Sequence, residues 1–147
     1  LKIGIFDHIL SSRFIYMKAI ICLDDNNGML FNNRRQSQDK ILREHIKSLT
    51  KNNKLYMNNY SYKLFNDIDE GNIIVSEDWR YKCEVNEFAL IEDKSPQEYL
   101  DKIDELIVYR WNTVYPSYLS FNVNLNEGWS LISNEDFEGF SNKNITD

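Results

Sequence analysis

A chain of 147 residues with 42% hydrophobic and 14% aromatic content can bury one core of ordinary size and is short for two domains. Its 17 Lys and Arg against 23 Asp and Glu give a net charge of −6, which repels phosphate backbones and anionic membrane surfaces, so a nucleic-acid role needs a local basic patch. No apolar run reaches the roughly 18 residues that a membrane-spanning helix requires.

In chain order, residues 1–16 read as an N-terminal extension, because Met17-Lys18-Ala19-Ile20-Ile21-Cys22-Leu23 has the form of a natural start entering a first strand. Within the extension Ile3, Phe6, Leu10 and Phe14 fall at helical spacing, and residues 2–6 could equally supply a strand. Asp7, His8 and Arg13 interrupt its apolar stretch, which argues against a signal peptide. Residues 17–147 read as a single α/β domain in which short apolar runs alternate with helical patterns. Strands are expected at residues 18–23, 54–57, 72–76, 88–91, 105–111, 118–123 and 129–133. The clearest helix has Ile41, Leu42, His45, Ile46 and Leu49 on one face and Ser37 as a cap. A second begins near Asn58-Asn59-Tyr60-Ser61 and carries Tyr62 and Phe65. A third has Ser95 as cap and Pro96 at its first position, followed by Glu98, Leu100 and Ile103. Residues 138–147 read as an irregular tail.

The chemistry-bearing residues are sparse. Cys22 and Cys83 lie far apart and form no CxxC or Cys/His cluster, which predicts two free thiols in a reducing cytoplasm. No Gly-rich phosphate loop, GxSxG elbow or Ser/His/Asp set is present. His8 and His45 cannot build a multi-histidine metal centre, and His45 on an apolar helical face reads as a packed, hydrogen-bonded core histidine. Asp24 and Asp25 could bind a divalent cation, but Asn26-Asn27-Gly28 makes an ordinary turn sequence of the same stretch and no third carboxylate completes a site. No metal is therefore expected. The tyrosines and phenylalanines follow strands and helix faces, so packing explains them without a base-stacking platform.

Four segments carry a resemblance. They are Leu23-Asp24-Asp25-Asn26-Asn27-Gly28 running on to Asp39; Leu55-Tyr56-Met57-Asn58-Asn59-Tyr60-Ser61-Tyr62; Gly71-Asn72-Ile73-Ile74-Val75-Ser76; and residues 104–115, which include Leu106-Ile107-Val108-Tyr109-Arg110-Trp111-Asn112. Their order resembles that of the dihydrofolate reductase family from residue 17 to about residue 119. The resemblance implies a central mixed, mainly parallel sheet flanked by helices. It also implies that Asp39 stands where the reductases keep the acidic residue that binds the pterin and supports its protonation. The competing reading of Asp39 is a negative charge in a helix's first turn.

The departures from that family bear on function more than the matches do. The arginine that grips folate before the third strand is replaced by Asp69-Glu70-Gly71. The hydroxyl and basic residues that hold the 2′-phosphate of NADPH correspond to Asn58-Asn59 and Ser76-Glu77-Asp78, where carboxylates would oppose a phosphate. The Gly-Gly pair that lets backbone approach a diphosphate is replaced by Arg110-Trp111-Asn112, whose side chains should obstruct it. NADPH is thus not expected as a cofactor, and none other is implied.

If the fold holds, the carboxyl ends of the first strand and of residues 105–111 meet at the crevice where open α/β sheets bind ligands. Asp24, Asp25, Arg34, Arg35, Arg110, Trp111 and Asn112, with Asp39, would line a pocket for a small polar or zwitterionic ligand. The competing reading pairs the arginines with surplus carboxylates and places Trp111 in core or interface. The preferred expectation is a cytoplasmic ligand-binding or protein-interaction module without folate reduction. The alternatives are a divergent oxidoreductase using Asp39 as acid/base, or a nucleic-acid-binding protein acting through Arg34 and Arg35. A homodimer through residues 1–16 or an uncovered sheet edge is a further expectation.

Overall fold

The structure is a computed structural model that describes residues 2–8, 17–23, 28–31, 34–35, 40–65, 72–78, 82–84, 86–92, 103–110, 119–120 and 129–136. Ten strands and two helices occur among these residues: β1 (Lys2–His8), β2 (Met17–Leu23), β3 (Gly28–Phe31), β4 (Arg34–Arg35), α1 (Lys40–Thr50), β5 (Leu55–Met57), α2 (Asn59–Phe65), β6 (Ile73–Val75), β7 (Phe88–Leu90), β8 (Ile103–Arg110), β9 (Leu119–Ser120) and β10 (Trp129–Asp136). The Ser37 cap, the C-terminal tail and most of the third helix expected after Ser95 lie outside the described residues; Ile103, expected on that helix, instead opens β8, in register with Met17 and fully buried, so the apolar run of the strand begins two residues before its expected start.

Seven strands form a mixed, mainly parallel sheet in the order β10-β1-β8-β2-β7-β5-β6, which places the chain in the α/β class. β8, β2, β7, β5 and β6 run parallel, whereas β1 is antiparallel to both β8 and β10. Every expected strand from residue 18 to 111 is present within two residues of its expected bounds, and that expected at 129–133 starts where expected and runs three residues further, to Asp136. The one expected at 118–123 survives as β9, which joins β3 and β4 in a separate three-stranded sheet in the order β4-β3-β9. Of the two readings open for the segment ahead of Met17, the strand is realised. It lies inside the main sheet, with Ile3 opposite Tyr109 on one side and Glu135 on the other.

Side chains alternate across the sheet because a strand has a period of two, and both faces are buried, as a parallel block requires. One layer takes Met17, Ala19, Ile21 and Leu23 of β2 with Leu106 and Val108 of β8, Tyr56, Ala89 and Trp129. The other takes Ile20 and Cys22 of β2 with Ile107 and Tyr109 of β8, Leu55, Met57, Phe88, Leu90 and Ile3. α1 belongs to this second layer, with Leu42 and Ile46 fully buried and Leu49 packed beside them. Its register is locked by His45, whose Nδ1 lies 2.7 Å from the buried Tyr109 hydroxyl. At the helix end the Asn72 side-chain amide donates to the Thr50 and Asn53 carbonyls at 2.8 and 2.9 Å, satisfying groups that a helix terminus leaves open.

β1 and β10 make the irregular side of the sheet. The Phe6 ring lies across Gly4 so closely that a Cβ there would sit 2.8 Å from it. Between Ile5 and Phe6 the register steps from Ser133 to Leu131, leaving Ile132 as the extra residue of a β-bulge. Such a bulge bends an edge strand and discourages further pairing. Leu131 and Ile132 are 51% and 53% exposed.

Candidate ligand-binding crevice at the carboxyl edge of the sheet

The five parallel strands all deliver their carboxyl ends to one edge, the general position of ligand crevices in open α/β sheets. Five features meet there. β8 ends in Arg110, half-buried and in register with Leu23, the last residue of β2. β7 continues through Ile91, whose amide donates to the Ile20 carbonyl at 3.0 Å, into Glu92. β5 runs into Asn58, and β6 into Ser76-Glu77-Asp78.

The amides of Asn59, Ser61 and Tyr62 at the turn from β5 into α2 are all satisfied by the chain itself. Buried Asn58 acts as the cap, its Oδ1 accepting the Ser61 amide at 3.0 Å, while its carbonyl accepts the Tyr62 amide at 3.1 Å. The next amide, that of Asn59, donates to Glu77 Oε2 at 2.8 Å. Glu77 is held in reach because the Ser76 amide donates to the Met57 carbonyl at 2.8 Å, extending the β5–β6 pairing by one residue, and because Ser76 Oγ accepts the Asp78 amide at 3.1 Å. A carboxylate at a helix's first amides is favourable with the helix dipole.

Glu92 was not legible as a site residue. It is 3% exposed, an unusual place for a carboxylate, and its charge acts with burial to push the Cys22 thiol well above the ordinary range, burial being the larger cause. The only sequence signal was an acidic residue directly after the apolar run Phe88-Ala89-Leu90-Ile91. Cys22 and Cys83 are both free thiols.

The proposed pocket residues are placed only in part. Arg110 stands at the carboxyl edge of the sheet, beside the end of β2. Arg34 and Arg35 form β4, opposite Phe31 and Leu30 of β3, and β3 in turn touches β2. Asp24, Asp25, Asp39, Trp111 and Asn112 lie outside the described residues. Among the described residues no group of His, Cys, Asp and Glu is arranged to hold a metal ion, and no helix is long and apolar enough to cross a membrane. No family model matches the chain, and no curated protein matches it in sequence.

Proposed function

We propose that the chain is a divergent dihydrofolate reductase-like domain that has lost NADPH and folate binding and works by recognition, as a ligand-binding or protein-interaction module. The observation that carries this reading is the 2.8 Å hydrogen bond from the Asn59 amide to the Glu77 carboxylate. The resemblance puts the 2′-phosphate of NADPH against Asn58-Asn59 and Ser76-Glu77-Asp78. These two stretches lie together on neighbouring strand ends, and the anion between them is the chain's own. An incoming phosphate would have to break that hydrogen bond and then face a like charge, at a cost of roughly 1–4 kcal/mol at about 4 Å in a solvent-exposed setting. On this reading the residues present do not fit the 2′-phosphate of NADPH.

The mixed, mainly parallel sheet is compatible with the resemblance, and the crevice with Arg110 and buried Glu92 is the recognition surface this reading favours. The test is NADPH oxidation in the presence of dihydrofolate, with an authentic reductase as control. No turnover above buffer is expected. Turnover lost in Asp39→Asn would replace this reading with a divergent oxidoreductase. Salt-sensitive RNA binding lost in an Arg34→Ala/Arg35→Ala variant would replace it with nucleic-acid binding.

A further inference from the structure

Beside α1, over the strip formed by β1 and β10, lies a half-open cavity of about 280 Å³ lined by Ile3, Ile5, His45, Ser48, Leu49 and Ser133. Ile3 and Ile5 of β1, with Ser133 opposite Ile5 on β10, form the floor, and one flank of α1 forms the wall. We propose that this cavity binds a small uncharged molecule made of one compact apolar body and one hydroxyl tip, of which phenol is the simplest example.

The lining is ordered by polarity. Ile3 is 4% exposed and Ile5 and Leu49 are half-buried, whereas Ser48 and Ser133 are exposed, so the apolar side chains mark the inner end and the hydroxyls the mouth. A ligand that removes an apolar body from water against the isoleucines and the leucine therefore leaves its polar tip on the side of the two serines. The volume approaches the lower end of small-molecule pockets, roughly 300 Å³, which limits the body to a single ring or a short branched chain.

The same lining selects against charge. None of its six side chains is permanently charged, and drawing a charged group out of water is unfavourable where no opposite charge receives it. A serine hydroxyl rotates to donate or to accept, so a pair of them suits a ligand hydroxyl, which does both, and neutralises neither a carboxylate nor an ammonium. His45 contributes shape: its Nδ1 lies 2.7 Å from the Tyr109 hydroxyl and the two rings meet nearly edge to face, a packing that is the same whichever of the two holds the shared proton. Occupancy of this cavity depends neither on the crevice residues nor on the family resemblance, so it stands or falls separately from the proposed function.

The experiment is a titration of the full chain with phenol, followed through the methyl resonances of Ile3, Ile5 and Leu49. Saturable shifts at all three residues are expected. Ser133→Trp, which fills the cavity from β10, should weaken binding at least about tenfold. Ser48→Phe, entering from α1, should do the same, so the result does not rest on one variant folding well. Leu131→Trp adds the same bulk to β10 on the opposite face, where Leu131 pairs with Phe6, and should bind as the parent does. Benzoate and benzylammonium, with the same ring and a charge of either sign, should each bind at least about tenfold more weakly than phenol. The Ser48→Ala/Ser133→Ala variant should weaken phenol about two- to tenfold and leave toluene unchanged. The absence of saturable shifts, or unchanged affinity in both cavity-filling variants, would overturn the site. Equal binding of either charged ring would overturn the uncharged assignment, and an equal effect of the alanine pair on phenol and toluene would overturn the hydroxyl tip.

Discussion

His45 on α1 and Tyr109 on β8, 64 positions apart in the chain, share a 2.7 Å hydrogen bond inside an otherwise apolar layer. The bond ties the helix to the middle of the sheet. A double-mutant cycle of His45→Phe and Tyr109→Phe, read by urea denaturation, is expected to return a coupling energy of about 0.5–1.5 kcal/mol. Strictly additive losses would mean that the pair contributes packing alone.

The position of β1 makes a stronger prediction about the first residues. A strand between β8 and β10 cannot be removed without exposing the hydrogen-bonding edge of β8, stranding β10 and uncovering the layer that contains buried Ile3. Deletion of residues 1–16 is therefore expected to abolish cooperative thermal unfolding or cause aggregation, measured by calorimetry and light scattering. A truncated chain with an unchanged melting temperature would contradict the topology.

At the other end of the sheet, Asn58 is buried and caps α2 through the Ser61 amide. Asn58→Ala should destabilise the protein by about 1–2 kcal/mol, the usual cost of losing an N-cap, whereas Asn58→Ser should recover part of that loss. Denaturation midpoints check both. Equal losses in the two variants would locate the effect in packing and not in the cap.

The thiols predict a direction of pH dependence. Burial, followed by the charges of Glu87 and Glu84, pushes the Cys83 thiol from its ordinary value near 9.0 up to about 12, and Cys22 is raised by burial and by Glu92. An unfolded chain releases these protons near 9.0, while the folded chain retains the Cys83 proton until about 12. Between those values the folded state binds more protons, so stability falls as pH rises, and below them the thiols contribute no dependence. The urea midpoint should therefore drop as pH rises above about 9 toward about 12. Cys83→Ser should flatten that slope. Both thiols should also react slowly with a disulfide reagent in the native state and rapidly once unfolded, since the thiolate is the reactive form.

Much of the fold was legible because burial on both faces leaves continuous apolar runs such as Ala19-Ile20-Ile21-Cys22-Leu23 and Leu106-Ile107-Val108, and α1 carries apolar residues three and four apart. The partner of each strand was not legible. Periodicity in residues 2–8 says how the segment can bond and nothing about where, so its place between β8 and β10 emerges only from long-range pairing. The same limit governs the site residues. His45 was readable as a packed histidine, but its partner Tyr109 lies on a distant strand. Glu77 was readable as a charge opposed to phosphate, yet only the β5–β6 pairing brings it onto the Asn59 amide. Glu92 gave too little signal, because a single carboxylate after an apolar run usually marks a strand emerging into solvent.

The most direct measurement is calorimetry of NADPH added to the intact protein, with an authentic dihydrofolate reductase run in parallel. With Glu77 already seated on the Asn59 amide, no saturable heat is expected up to about 1 mM NADPH, an affinity of about −4 kcal/mol or weaker. Stoichiometric binding at micromolar concentration would contradict the proposed loss of NADPH binding and show that Glu77 yields its place to the cofactor.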